Sequence, residues 1–316
     1  MRGAPAPILP APPSGKNALP PANSKASRSP ASKTVIQLRC HADKQVNQAL
    51  ANQPIGVFDS GVGGLSILRA LRAELPHEDF VYVADSGFAP YGERDEAFVI
   101  ERARCIAQHL ISTPQAPIKA LVIACNTATA AAIHLLRQDD PALPIVGVEP
   151  ALKPAITVSQ TRRVGVLATR GTLASQKFKS LLASLNDQAV FVCQPCDGLA
   201  DAIERDNAPE IKALCTNYIR ATGQFGMNSG QIDTLVLGCT HYPFASAFFR
   251  ELVGPDVKLI DNGEPVARQT RRVATPLADD GQIGQIRLFS TGDRDLLAQA
   301  ATHWLGLSAP VDTLSI

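Results

Sequence analysis

The chain has 316 residues, and its 30 Lys and Arg against 29 Asp and Glu give a formal net charge of +1. This length allows one large domain or two ordinary ones, and the near-zero charge provides no broad basic field for a polyanion. No apolar run reaches the roughly 18–20 residues that span a bilayer, so neither nucleic acid nor a membrane is an expected partner.

The first fifty residues differ in composition from the rest of the chain. Eight of the 24 prolines lie within residues 1–30, and residues 1–50 carry seven Lys or Arg against one acid, Asp43. Such dense proline prevents a helical or strand period, and too little apolar area is available to offset the entropy of ordering. We expect residues 1–53 to be a disordered, solvated extension, although their composition also resembles an organelle transit peptide.

From Pro54 onward, short apolar runs alternate with helical periods. The predicted strands are Ile55–Phe58, Phe80–Ala84, Ala120–Ala124, Ile145–Val148, Val164–Leu167, Leu235–Leu237 and Lys258–Ile260. The predicted helices include Leu65–Glu74, Asp95–Ile111, Thr129–Arg137 and Thr172–Leu185. Continuous apolar strands separated by helices indicate an α/β fold with parallel sheet covered on both faces.

Two strand ends repeat each other. Residues 119–127 and 233–241 each form an apolar strand that ends in a small residue and a cysteine, Cys125 and Cys239 respectively. Ligands of parallel α/β sheets bind beyond the carboxyl ends of the strands. The repeat therefore predicts two pseudo-symmetric, doubly wound α/β domains that each present one thiol to the cleft between them.

The segments upstream of the two cysteines also match. Residues 55–60 resemble residues 164–169, which makes Ala168 the counterpart of Asp59. The interval from strand end to cysteine is 66 residues in the first half and 71 in the second. The two halves are therefore predicted to be duplicated α/β units.

The neighbours of Cys125 and Cys239 favour reactive thiols. Cys125 precedes Asn126 and an Ala-rich helix, and a helix N-terminus stabilises a thiolate and binds carboxylates. His241 follows Cys239 by two residues and can take or relay its proton. Facing thiols of this kind can remove a Cα proton on one side of a carbon and return one on the other, with Asp59 as a second neighbour that assists.

The other cysteines are predicted to be structural. Cys105 and Cys215 lie within helical periods, where a free cysteine behaves as a small apolar side chain. The single C-x-x-C pair, Cys193 and Cys196, has no second pair to complete a zinc site, so no metal is expected. Seven cysteines are an odd number in a chain with no secretory apolar segment, which predicts reduced thiols and a cytoplasmic location.

The loop 59–65, Asp-Ser-Gly-Val-Gly-Gly-Leu, follows the first strand directly. Its spacing matches neither the dinucleotide-binding fingerprint nor a P-loop. We interpret it as a set of backbone N–H donors and a serine hydroxyl that bind a carboxylate, with Asp59 alternatively a simple turn residue. No lysine or glycine motif for pyridoxal phosphate or nicotinamide stands out, so no cofactor is expected.

At these residues the chain resembles the glutamate racemases of the cofactor-independent aspartate/glutamate racemase superfamily, and the match covers nearly all residues after Gln53. The matching blocks are 58–65, Asp85 with 90–92, 124–128, 147–150, 238–243 and 291–293. The resemblance implies an α/β protein of two domains, residues 54–149 plus 262–316 and residues 150–261. It also implies interconversion of L- and D-glutamate in the cytoplasm, which supplies peptidoglycan synthesis in cell-wall biogenesis and cell shape.

The resemblance also assigns the site residue by residue. It implies that Cys125 acts on the D enantiomer and Cys239 on the L enantiomer. Asp59, Glu149 and His241 correspond to polar residues that assist the cysteines. The positions that match substrate-contacting residues are Asp59, Ser60, Tyr91, Gly92, Asn126, Thr127, Thr240 and His241.

The chain departs from the family between Asp85 and Pro90. It carries the segment 86–89, Ser-Gly-Phe-Ala, where relatives more often have Asn or Thr followed by Ala-Arg. This loop borders the site, so substrate access or affinity is expected to differ while the catalytic assignment stands.

Three other functions remain open. An aspartate or other amino-acid racemase would share the mechanism, a binding protein for acidic amino acids would have no need of paired thiols, and a C–N lyase or hydantoin-type enzyme would give net product. A small-molecule substrate is the expected partner. A homodimer is compatible with the sequence, which does not fix the oligomeric state.

Overall fold

A computed structural model describes residues 49–113, 117–278 and 281–316. Of the extension predicted to be disordered, residues 1–53, residues 1–48 lie outside the described residues. The prediction is wrong for residues 49–53: residues 49–51 are helical, Ala51 is buried, and its carbonyl accepts a hydrogen bond from Lys119 at 2.7 Å. No helix in the described ranges is long and apolar enough to cross a membrane.

The first sheet has six parallel strands in the order β10-β9-β2-β1-β3-β4. Its strands are β1 (Ile55–Asp59), β2 (Phe80–Ala84), β3 (Ala120–Ile123), β4 (Ile145–Gly147), β9 (Ile286–Ser290) and β10 (Val311–Thr313). The second sheet has four parallel strands in the order β6-β5-β7-β8. Its strands are β5 (Arg163–Ala168), β6 (Val190–Pro195), β7 (Thr234–Leu237) and β8 (Lys258–Ile260).

Eleven α-helices connect the strands within the described part of the chain. They are α1 (Leu65–Glu74), α2 (Glu96–Ser112), α3 (Asn126–Asp139), α4 (Leu152–Val158), α5 (Arg170–Ala174), α6 (Gln176–Ala183), α7 (Leu199–Glu204), α8 (Ala208–Thr222), α9 (Ser246–Val253), α10 (Gly263–Val273) and α11 (Arg294–Leu305). Short 3₁₀ turns occupy Ser86–Phe88, Tyr91–Glu93 and Tyr242–Ala245.

Helices cover both faces of each sheet, as continuous apolar strands require. Ile55 and Val57 of β1 face a core shared with α1, α10 and α11, whereas Phe58 faces the core shared with α2 and α3. Side chains alternate between the faces of a strand, so a strand buried on both faces is apolar at every position. The second sheet is covered by α7, α8 and α9 on one face and by α4 and α6 on the other.

The two sheets repeat one arrangement. The order β2-β1-β3-β4 in the first corresponds to β6-β5-β7-β8 in the second. Cys125 and Cys239 follow β3 and β7, the corresponding strands, within two residues of the strand end. The predicted fold class, two pseudo-symmetric parallel α/β sheets, is confirmed, while the predicted domain bounds stay a prediction.

The structure contains three strands that were not predicted, and it divides one predicted helix into two. β6, β9 and β10 were not predicted: β6 and β10 are edge strands with largely exposed or half-buried side chains, and β9 alternates in burial. Polar residues interrupt β9 and β10, whereas β6 opens with the apolar run 190–193, which the prediction passed over. The predicted helix Thr172–Leu185 is two helices, because Ser175 ends α5 and its hydroxyl caps α6 by accepting the Phe178 N–H.

Candidate active site

One cavity lies against the carboxyl ends of both sheets and contacts both repeat cysteines. The lining residues are Ser60, Ala89, Pro90, Tyr91, Gly92, Glu93, Cys125, Asn126, Thr127, Thr169, Arg170, Cys196, Asp197, Gly198, Ala200, Asp201, Glu204, Cys239, Thr240 and His241. Most of these residues follow strands β1, β2, β3, β5, β6 and β7. The cavity therefore lies where the sequence predicts a ligand site, beyond the carboxyl ends of the strands. The two thiols thus border a common space.

Cys125 is the N-cap residue of α3. Its Sγ accepts the backbone N–H of Ala128 at 3.5 Å and lies 3.8 Å from the Ser60 hydroxyl. Burial raises the pKa of the Cys125 thiol well above its ordinary value, and the charge of Asp59 raises it further. The helix N-terminus therefore does not by itself produce a thiolate, and proton removal needs a partner.

Asp59 is fully buried and does not line the cavity, which corrects its predicted contact with the substrate; it lies behind the lining residues Ser60 and Thr240. Its Oδ2 accepts the Gly64 N–H at 2.6 Å, and its Oδ1 lies 3.5 Å from the Ser60 hydroxyl. Burial raises the pKa of Asp59 to about 6. A carboxyl group with that pKa exchanges a proton readily near neutral pH, and Ser60 stands between it and Cys125.

Cys239 has a different pair of neighbours. Its Sγ lies 3.7 Å from Nδ1 of His241, and Nε2 of His241 lies 2.7 Å from Oε2 of Glu204. Although burial lowers the pKa of His241, its hydrogen bonds to Cys239 and Glu204 raise it well above the ordinary value. The imidazole is thus suited to hold the proton that Cys239 gives up.

Glu204 was not predicted from the sequence, because α7 carries no motif that marks its last residue. The glycine-rich loop is built around this side chain. Val62 donates its N–H to the Glu204 carboxylate at 2.8 Å, and a Cβ at Gly61 would overlap that carboxylate. Likewise, a Cβ at Gly63 would overlap the His241 ring. The loop N–H groups of Val62 and Gly64 thus donate to carboxylates of the protein itself, Glu204 and Asp59, and the binding of a ligand carboxylate by this loop stays a prediction.

Glu149 is not brought to the cavity, which corrects its placement beside the cysteines. Its carboxylate is 48% exposed and pairs with Lys177 at 2.7 Å, at two hollows that Pro150 also borders. The residue follows β4 rather than β3, one strand away from the thiol. Among the predicted assisting acids, only Asp59 lies beside a cysteine.

The remaining predicted contacts line the cavity. They are Ser60, Tyr91, Gly92, Asn126, Thr127 and Thr240. Both polar atoms of the Asn126 side chain are buried without a hydrogen-bond partner among the described residues, so this amide is available to a ligand. Thr127 lies 3.2 Å, hydroxyl to hydroxyl, from Thr169 of the other sheet. Thr169 is the repeat counterpart of Ser60, which could have identified it.

The loop with Tyr91 is anchored by a buried acid. The Tyr91 hydroxyl donates to Asp85, which also accepts two hydrogen bonds from Arg102, at 2.8 and 3.0 Å, and one from Thr291 at 2.8 Å. Charge-assisted, bidentate pairs of this kind fix geometry strongly when they are buried. Asp85 and Thr291, two residues of the matching blocks, therefore support the cavity wall rather than line it.

The described residues contain no group of three or more His, Cys, Asp or Glu side chains arranged to hold a metal ion. Cys196, predicted to be structural, lines the cavity and donates its S–H toward the Gln194 carbonyl at 3.4 Å. Burial raises the pKa of Cys196 well above its ordinary range. A thiol of that character is a weak nucleophile, which fits the structural interpretation.

Two parallel α/β sheets that each bring one thiol to a shared cavity, with separate acid or imidazole partners, define an enzyme built for acid and base chemistry. Comparison with known proteins specifies it further. The model of the Asp/Glu/Hydantoin racemase family matches residues 65–281. The chain belongs to that family and is an isomerase.

Relatives and solved structures agree with this family. A glutamate racemase from Cupriavidus pinatubonensis is 48% identical over 268 residues, which cover 83% of this chain and 95% of that protein. The structure of a glutamate racemase isoform from Bacillus anthracis matches with a TM-score of 0.73 and 30% identity over 84% of this chain and 98% of its own. A glutamate racemase from Francisella tularensis in complex with D-glutamate matches with a TM-score of 0.70 and 27% identity, over the same shares.

Proposed function

We propose that the protein interconverts L-glutamate and D-glutamate by proton transfer at Cα between Cys125 and Cys239, without a cofactor. The observation that carries this proposal is the position of both thiols at one cavity, one from each sheet. Inversion at Cα needs a base on one side and an acid on the other, and a thiolate and a thiol of similar basicity serve both directions.

The proton transfers balance as follows. With L-glutamate, the Cys239 thiolate takes the Cα proton, the electron pair of the C–H bond delocalises onto the α-carboxylate, and Cys125 delivers its proton to the opposite side. The reverse reaction starts from D-glutamate with the Cys125 thiolate. Each turnover therefore leaves the thiol and the thiolate exchanged.

The assisting groups prepare each thiolate. His241 accepts the Cys239 proton at Nδ1, while Glu204 stabilises the resulting imidazolium through Nε2. Asp59 takes up the corresponding role for Cys125 through the Ser60 hydroxyl. Each cysteine thus has its own route for the proton that must leave before it acts as a base.

The cavity wall supplies donors for the substrate carboxylates. We assign binding to the hydroxyl, amide and backbone groups of Ser60, Asn126, Thr127, Thr240 and the 91–92 turn. Fixed donors of this kind stabilise the charge that develops on the α-carboxylate as the proton leaves. The choice of glutamate over aspartate is supported by the names of the relatives and by the Pro-Tyr-Gly turn.

Proton NMR in D2O tests the reaction and its substrate together. The purified protein, dialysed against a chelator, is incubated with L-glutamate and, separately, with L-aspartate, and the Cα–H signal and optical rotation are followed. We expect loss of the Cα–H signal and of rotation with glutamate only. Exchange with aspartate alone would support the proposed mechanism but identify aspartate, not glutamate, as the substrate. No exchange with either amino acid would favour a binding protein.

The place of this reaction in the cell is a separate part of the proposal. D-glutamate is the product that peptidoglycan synthesis consumes, and a cytoplasmic racemase would supply it. Expression in a bacterial strain that requires external D-glutamate should restore growth without the supplement. A variant that lacks Cys125 should fail to do so, and growth restored by that variant would contradict this role.

A further inference from the structure

The Glu204 carboxylate connects the two walls of the cavity. Glu204 ends α7, which packs on the second sheet, and its side chain is 11% exposed. His241, also from the second sheet, contacts one of its oxygens, Oε2. The remaining donors to this carboxylate come from the loops that follow β1 and β2 of the first sheet.

Two groups of the first sheet hold this carboxylate. The Val62 N–H donates to Oε2 at 2.8 Å and to Oε1 at 3.1 Å. The Ser86 hydroxyl donates to Oε1 at 3.1 Å. A buried carboxylate with donors on both oxygens has one favoured orientation, and here that orientation presents Oε2 to the imidazole.

This orientation determines how His241 meets Cys239. Since an ionised carboxylate only accepts hydrogen bonds, Nε2 of His241 carries a proton in this contact. The neutral ring then offers the lone pair of Nδ1 to the Cys239 thiol, 3.7 Å away. If Glu204 rotated away, the ring would lose the partner that fixes its tautomer and stabilises its protonated form.

The loop that carries Ser86 is fixed from behind. The Gly87 N–H donates to the Thr291 hydroxyl at 3.2 Å, and the Phe88 ring stacks on the Arg102 guanidinium, 3.6 Å from ring centre to Cζ. Gly87 lies so close to the Thr291 carbonyl that a Cβ there would come within 2.7 Å of its oxygen. The Ser86 hydroxyl is therefore presented from a rigid support.

We propose that Ser86 is a positioning residue, whose hydroxyl holds Glu204 of the opposite wall against His241 and so prepares Cys239 as a base. The proposal rests on the proposed function, because it concerns the base on the Cys239 side of that reaction. It also gives a role to the segment 86–89, in which the chain departs from its family. Ser86 acts through Glu204 and His241 and does not itself contact the reacting carbon.

Two substitutions at Ser86 and one distant control test this role. Ser86→Ala removes the hydroxyl, Ser86→Thr keeps it, and Ser112→Ala removes an exposed serine hydroxyl at the end of α2. The measurements are kcat and KM in both directions, the thermal midpoint, and the titration of His241 by ¹⁵N NMR. A His241→Asn sample assigns the His241 signal among the six histidines.

We expect Ser86→Ala to lower kcat about 5- to 10-fold, with KM within about twofold. This is less than the tenfold or more that a lost hydrogen bond to a charged group costs, because the Val62 N–H still holds Glu204. The pKa of His241 should fall, because its carboxylate partner is held less firmly. The groups that face this ring are Cys239, Glu204 and Asp59, and only the contact with Glu204 is altered by the substitution. Ser86→Thr should restore both quantities, and Ser112→Ala should leave them unchanged.

Two results would overturn the proposal. An unchanged kcat and His241 titration in Ser86→Ala would mean that the Val62 N–H alone holds Glu204. Equal losses in Ser86→Ala and Ser86→Thr, with a lower thermal midpoint and an unchanged His241 titration, would mean that Ser86 serves only loop packing. If the unmodified protein did not racemise glutamate, the proposed function would fail, yet the His241 titration would still decide the role of Ser86.

Discussion

The two halves of the cavity share one scaffold but prepare their thiols differently. In the first half, β1 itself supplies the acid, Asp59, and the thiol of Cys125 caps the following helix. In the second half, Ala168 occupies the corresponding strand end, and the assisting groups are His241 and Glu204. The repeated strand order places the two thiols at corresponding positions, whereas the polar groups beside them come from different elements.

This difference shows what each half requires. The acid of the first half is fully buried, and burial raises its pKa to about 6, so it can hold a proton near neutral pH. The acid of the second half is held by donors from the opposite wall and faces an imidazole. The proposed inversion needs a base on each side of Cα, and the two thiols meet different polar groups there: Asp59 through Ser60 on one side and His241 with Glu204 on the other.

The largest expected effect is the loss of either thiol. Cys125→Ser and Cys239→Ser should each lower the rate of racemisation by about 10²–10⁴-fold, because a serine hydroxyl is a far weaker base than a thiolate. Circular dichroism should show the unmodified fold in both variants. Turnover at the normal rate in either one would mean that the two halves are not both needed.

The next effect is on the free energy of unfolding, and it depends on Asp59 of the first half of the cavity. Because the folded-state pKa of Asp59 lies above its ordinary value of 3.8, folding favours the protonated carboxyl. That contribution is full at low pH and is lost as the pH rises through about 6, a change of about 3 kcal/mol. Asp59→Asn should lack this loss.

Urea unfolding of both proteins at about pH 4 and pH 8 measures the effect on stability. Relative to the unmodified protein, Asp59→Asn should gain stability between the two pH values, while its racemase activity falls. The same pH dependence in both proteins would contradict the raised pKa of Asp59.

A smaller effect distinguishes Glu204, which lines the cavity, from Glu149, which does not. Glu204→Gln should lower kcat about 10- to 30-fold, since the amide cannot stabilise the imidazolium of His241 as a carboxylate does. Glu149→Gln, in an exposed ion pair, should stay within about twofold. Equal losses in the two variants, measured by polarimetry, would restore Glu149 as an assisting residue.

The smallest expected effect is at the cavity mouth. Arg170 is the one Lys or Arg among the residues that line the cavity, and its exposed ion pair with Asp197 leaves it near solvent. Arg170→Gln should raise KM for glutamate a few-fold at low ionic strength and have no effect at about 1 M salt, where exposed charges are screened. Arg205→Gln, at an exposed arginine outside the lining, is the control, and equal KM changes in both would indicate a general field.

The sequence predicts the parts of the fold that repeat and the parts that are buried on both faces. The bounds of α1 match the prediction, and Cys125 lies at the helix start where the strand end placed it. The edge strand β10 was missed because it is half exposed and shows no continuous apolar run, whereas β6 does open with one, residues 190–193, which the prediction did not use. Runs of apolar residues, rather than the strand propensity of single residues, were the signal that predicted the buried strands.

The sequence predicts the site residues that directly follow a strand, and it misses the one that lies on a helix. Asp59, Cys125 and Cys239 all stand at strand ends, which is the position that a parallel sheet marks as functional. Glu204 lies at the end of α7, and only the folded chain shows that its carboxylate meets His241. Glu149 also follows a strand end, but the strand is β4, which lies beside the strand that leads to Cys125. A sequence pattern does not show which of two neighbouring strands ends at the cavity.

The central claim is that each half supplies one base to a shared cavity, and proton exchange in D2O measures it most directly. Cys239→Ser and Cys125→Ser are each incubated with D-glutamate and with L-glutamate, and loss of the Cα–H signal is followed by NMR without inversion. The account predicts that Cys239→Ser exchanges only the D enantiomer, through Cys125, and that Cys125→Ser exchanges only the L enantiomer. Exchange of the same enantiomer by both variants, or of both enantiomers by either one, would contradict it.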